Sequence, residues 1–244
     1  MILAAALAPR VPQPQSYHQF ADQRRWLGIP NFADVASNFP FAVVGIWGLW
    51  FVLAKANRER FPESFIDARE RWPYGLGFLG LFLTAFGSSY YHWAPDNARL
   101  VWDRLPMTLV FMPLVAAMIA ERISLKAGLW LLPLLTVIGV GSVRQWYASE
   151  LHGEGDLRMY AAVQAYALAV LLVALPLPPR YTRGADLLWV VGFYALAKIL
   201  ETADRQVFRL TSRTVSGHTL KHLAAAMAGY WVLRMLMKRK PSAI

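Results

Sequence analysis

A chain of 244 residues that is 57% hydrophobic and 16% charged departs from soluble proteins, which average about 45–50% apolar and about 25% charged residues. That balance excludes a disordered or collagen-like chain, and the absence of cysteine excludes a disulfide scaffold, a thiolate metal site and a cysteine nucleophile. The formal charge of +10 sits in loops and at helix ends without a basic stripe, so no nucleic acid partner is expected.

The first ten residues, MILAAALAPR, imitate a signal sequence but lack a positive n-region. They are read as an unstructured tail at the head of an extramembrane segment, 1–37. Seven apolar blocks follow, at about 39–55, 74–93, 100–121, 127–143, 159–178, 185–203 and 216–237. Each predicts a spanning helix, because about 20 apolar residues in a helix cross about 30 Å of hydrocarbon. Each is also far longer than the roughly 10 residues of a barrel strand. The expected fold is therefore all-α: a polytopic integral membrane protein with a seven-transmembrane helix bundle over 38–238, then a basic tail, 239–244. Twelve Lys and Arg fall in the inner segments against nine in the outer ones if the N-terminus is outside. The positive-inside rule then favours N-out and C-in, and the terminal KRK adds to this by its reach to an anionic inner leaflet.

Ionisable groups inside spans cost free energy and mark function by default. Ser88 and His92 lie near the end of the second block, Asp103 near the start of the third, and His218 and His222 near the start of the seventh. Successive spans alternate direction, so these five meet at one depth. His218 and His222, four apart, share a helical face, and His92 supplies a third imidazole. Three protein ligands with an open fourth position are the pattern of a catalytic zinc. Ser88, four residues before His92, faces the same space, and Asp103 is placed to manage protons. The bland alternatives are interfacial histidines, a small Ser easing helix packing, and Asp103 paired with Arg99 or Arg104. Only five histidines exist, and three share this layer; His18 and His152 are expected to be solvated.

At these residues the chain resembles the alkaline ceramidase family, seven-span intramembrane zinc amidases related to the adiponectin and progestin receptors. The resemblance lies in GSSYYH at Gly87 to His92, in DRLPM at Asp103 to Met107, and in the late HTLKH at His218 to His222. FADVASNFP, from Phe32 to Pro40, is similar to the family's entry into its first span. The resemblance implies zinc on His92, His218 and His222, with Ser88 and Asp103 as the catalytic polar pair. It also implies a membrane lipid substrate: the amide of a ceramide-like lipid, cleaved to a fatty acid and a sphingoid base. In that mechanism Ser88 helps stabilise the oxyanion and Asp103 shuttles the proton to the leaving amine.

Two departures matter. Animal members carry an acidic calcium site before the first span, whereas here only Asp22, Asn31 and Asp34 are available, a thin set for calcium. Arg104 stands where many relatives are acidic, which predicts a changed charge at the rim. Glu201 and Asp204 are candidates for hydrogen-bonding the zinc histidines from outside, or for pairing with Lys198 and Arg205. Three other readings stay open on the residues alone. One is a zinc hydrolase of another lipid amide or ester; another is a non-enzymatic seven-helix receptor or haem protein; the third is a transporter using Asp103, Glu201 and Asp204 as a proton relay.

Overall fold

The computed structural model describes residues 8–242, so positions 1–7 of the expected tail and the last two residues of 239–244 lie outside the described residues. Ten α-helices follow in order: α1 (Phe32–Ala36), α2 (Phe39–Leu53), α3 (Lys55–Arg60), α4 (Arg71–Trp93) and α5 (Asn97–Arg122). After these come α6 (Leu125–Leu151), α7 (Arg158–Ala174), α8 (Asp186–Thr202), α9 (Asp204–Leu210) and α10 (Gly217–Lys238). Among the described residues there is no strand, only two isolated bridges. Three helical stretches are long and apolar enough to cross a membrane: Phe32–Leu53, Asn97–Arg122 and Leu125–Leu151.

The helix ends follow local chemistry. Asp96, Ser124 and Ser216 precede α5, α6 and α10, and each side chain accepts from a backbone N–H in the first turn. The fifth apolar block was expected to run to 178, but α7 stops at Ala174. Pro176, Pro178 and Pro179 follow, and none has an N–H with which to continue the helical hydrogen-bond ladder. α6 instead runs eight residues past the expected 143, to Leu151. Its polar end is held by burial of Trp146 on Arg104, whose guanidinium lies 4.1 Å from the indole centroid.

α2, α4, α5, α7, α8 and α10 surround a central cavity, while α6 stands outside this ring against α5 and α7. α8 packs tightly on α10 but barely touches α7. The closest approach is between α4 and α5. Pro106 has no N–H to bond the carbonyl four residues back, and that carbonyl, on Trp102, points at Gly87: a Cβ there would lie 1.9 Å from it. One face of this crossing carries Ser88, the other Asp103.

Two expectations about charge change with the structure. Arg239 is not part of a lipid-facing basic tail: it is 3% exposed, pairs with Glu121 and donates to the Ser64 carbonyl at 2.7 Å. Arg104 is not at a rim. It is buried among the rings of Trp146, Tyr160 and Tyr17 and donates to Gln13 Oε1. Aromatic faces favour a cation in a dry setting, so the packing of α6 and α7 decides where this side chain goes.

Candidate metal centre

α4 brings His92 and α10 brings His218 and His222 to one point. The three ring centroids form a near-equilateral triangle with sides of 4.7, 4.9 and 5.0 Å, and each residue is at most 4% exposed. One ligand nitrogen from each lies within 4.8 Å of the others, the only such group of His, Cys, Asp or Glu found among the described residues. His92 Nε2 and His218 Nε2 are 3.3 Å apart. A tetrahedral zinc with Zn–N of about 2.0–2.1 Å requires nitrogens about 3.3–3.4 Å apart. A hydrogen bond between two imidazoles can account for that one pair, while the third ring, His222, turns into the same point. The all-imidazole donor set suits zinc, copper, iron or nickel, so the group fits a metal ion.

The rings are held from outside by residues of the N-terminal segment and the first turn of α10. Ser37, between α1 and α2, places Oγ 2.7 Å from His222 Nδ1. Asn31 donates to the His92 carbonyl at 2.9 Å. Asp34 accepts from Thr219 Oγ1 at 2.7 Å and Ser216 Oγ at 3.3 Å, which ties α1 to the first turn of α10. Phe20 packs its ring 4.6 Å from both His92 and His218 and caps the site from the N-terminal segment. His92 Nδ1 is buried with no partner among the described residues.

Ser88 comes from α4 and Asp103 from α5, on the two sides of their crossing. Both are buried, and with His222 they line one end of a cavity of about 170 Å³. From there the lining turns apolar, through Phe41, Leu81, Val110, Leu114, Ala167, Leu171, Val190 and Val232. Along α10 it runs from His222 to Val232, about 15 Å at 1.5 Å per residue. Ala225, Ala228 and Gly229 line that stretch and leave room for a chain.

Glu201 and Asp204 lie on the same side as the triad, but neither bonds an imidazole nitrogen. Glu201 pairs with Lys198 and with Lys221, the latter at 2.7 Å, and accepts from Tyr17 OH at 3.2 Å. Burial first, and then Glu201, push the Tyr17 hydroxyl well above the ordinary phenol range, so it remains a donor. Asp204 accepts from the His218 backbone N–H and from the Ala21 N–H, both at 2.8 Å. A carboxylate at the positive end of α10 is favoured there, and it fixes the turn that carries His218. The three oxygen ligands proposed for calcium have separate partners: Asp22 is clasped by Arg24 at 2.6 and 2.8 Å, and Asn31 and Asp34 make the contacts already described. His18 differs from its expected solvation, with Tyr91 OH and Asn97 Oδ1 each 2.9 Å from its ring nitrogens; His152 is exposed. Tyr17, Phe20, Ser37 and Lys221 were missed because each gives only a local signal in the sequence.

No protein-family model matches this chain, and no curated protein matches it.

Proposed function

We propose that this protein is an intramembrane zinc hydrolase that cleaves the amide bond of ceramide-like lipids to a fatty acid and a sphingoid base. The carrying observation is the junction of three inward imidazoles, the Ser88–Asp103 pair and one end of a long apolar cavity. Its resemblance to the alkaline ceramidases rests on the same residues. His92, His218 and His222 would hold the zinc, which supplies Lewis-acid polarisation of a carbonyl and acidification of a water. The apolar slot binds a hydrocarbon chain and stops it with the amide beside Asp103. Asp103, which lines the cavity together with Ser88, takes a proton from the attacking water and delivers it to the amine nitrogen as the C–N bond breaks. The water's hydroxyl remains on the acyl carbon, so the acid and the amine balance. Phe20 over the rings keeps bulk water from that end.

All seven long helices cross the membrane in this reading, with the N-terminus outside and the C-terminus inside. Exposed tryptophans support it by falling at two levels. Trp26, Trp93 and Trp102 lie towards the metal end and Trp50, Trp72, Trp130 and Trp189 towards the other, each at least half exposed. Such aromatic belts mark membrane interfaces. The test is metal analysis of the purified chain followed by assay on ceramide. About one zinc per chain and release of fatty acid are expected, both lost when His92, His218 and His222 are all changed to Ala. Full zinc content in that triple variant would place the metal elsewhere and remove the reading.

A further inference from the structure

Beyond the reacting pair, the cavity wall carries three more charged side chains: Lys198, Glu201 and Lys221. Glu201 is paired with both lysines and also accepts from Tyr17, while the other carboxylate on this wall, Asp103, makes no ion pair with either lysine among the described residues. Lys198 reaches outward, with its side chain 53% exposed. Lys221 is 14% exposed, sits beside the metal ligand His222 in the chain, and spends one of its three N–H donors on Glu201 at 2.7 Å. No second partner for it occurs among the described residues. As a brace between α8 and α10, a single cation opposite Glu201 would suffice. A second one on a cavity wall that is otherwise mostly apolar adds the cost of desolvating an ammonium, which a bound anion would offset.

We propose that Lys221, steadied by Glu201, binds a carboxylate next to the scissile bond, so that the favoured substrates are long-chain acyl amides whose amine half is acidic, such as N-acyl amino acids. This rests on the lipid amidase reading and extends its substrates from ceramide-like lipids to acyl amides with an acidic amine half. A carboxylate two bonds from the amide nitrogen accepts charge-assisted hydrogen bonds from the unspent N–H groups of Lys221, while a cationic group there meets like charge. A neutral hydroxylated head group accepts a hydrogen bond from the ammonium but brings no opposite charge to it. The same lysine could instead receive the carboxylate of the released fatty acid, and that source is separable by experiment.

The zinc-loaded full chain in detergent would be given three amides with one acyl chain in common: palmitoyl glycine, palmitoyl ethanolamine and palmitoyl ethylenediamine. A charge-assisted hydrogen bond is about twice as strong as a neutral one, so kcat/KM should favour glycine over ethylenediamine by about tenfold or more, with ethanolamine between. Lys221→Met should shrink that ratio to within about threefold and Lys221→Arg should keep it, because only the charge and donors are at stake. Binding of the three amides, read by quenching of tryptophan fluorescence, reports the same preference without turnover. If none is cleaved but the acidic amide binds best and needs Lys221, the amidase reading fails and the carboxylate site stands. An ethanolamine amide cleaved and bound as well as the glycine amide by the unaltered protein overturns the proposal, and so does a ratio unmoved by Lys221→Met at full zinc content. Palmitate inhibition that weakens in Lys221→Met while the amide ratio stays fixed would assign the lysine to the product and also overturn it.

Discussion

At the scale of single residues, a metal ligand is only as fixed as the group behind it. Ser37 holds Nδ1 of His222 at 2.7 Å, and partners of this kind are typically worth about 10–100-fold in metal affinity. Ser37→Ala should therefore weaken zinc binding by about that factor in a chelator competition, with the helical signal unchanged. Unaltered zinc affinity would show that the hydroxyl is incidental. Asp103→Asn separates metal from chemistry: zinc content should stay near one per chain while hydrolysis falls by about 10²–10⁴-fold, the usual weight of general acid–base catalysis. Asn keeps the size and one acceptor but cannot carry a proton at neutral pH, and loss of zinc with activity would make Asp103 a support of the metal instead. Ser88 with His92, and His218 with His222, were legible in the sequence because i, i+4 spacing projects onto one helical face whatever the tertiary fold, and Asp103 was placed with them by the alternating direction of successive spans. Ser37 was not, since a serine before an apolar run reads as a helix start, and its target lies 185 residues away.

Helix pairs carry the next level of the argument. The α4–α5 crossing is close because Pro106 frees the Trp102 carbonyl and Gly87 has no side chain to meet it. Gly87→Ala must push the helices apart, and overpacking of this kind costs about 1–3 kcal/mol. A lower melting temperature and a loss of turnover through misalignment of Ser88 and Asp103 are expected. Gly141→Ala, where an added Cβ meets nothing within 4 Å, is the control and should be neutral or stabilising by helix propensity. If the two variants melt alike, the contact between Gly87 and the Trp102 carbonyl does not set the helix separation. At this scale the apolar blocks located every long helix, yet α6 outran its block and α7 fell short. Hydropathy counts only apolar residues, whereas Trp146 on Arg104 extends one helix and a proline cluster ends the other.

For the whole molecule, the orientation test uses the absence of native cysteine. Single cysteines in the 56–72 loop and in the C-terminal tail should resist an impermeant reagent in intact cells, and one in the 205–214 loop should label. Labelling of either inner position as readily as the 205–214 loop would reverse or break the N-out reading. The N-terminal segment gives the assembly its second feature: residues 8–37 close over the metal end. Arg10 pairs with Glu154 at 2.5 Å, Tyr17 reaches Glu201 and the Ala21 N–H reaches Asp204. The sequence by itself determined the all-helical class, the positions of the long helices and the single layer in which histidines, Ser88 and Asp103 stand. These follow from composition and helical periodicity, which are local. Only the tertiary structure decided that Arg104 turns into an aromatic cage, that Arg239 pairs inside with Glu121, that Ser37 backs a metal ligand and that Lys221 faces the cavity. A charged or polar side chain chooses among partners far apart in sequence by which of them packing leaves within reach in a poorly solvated space, and sequence spacing does not encode that choice.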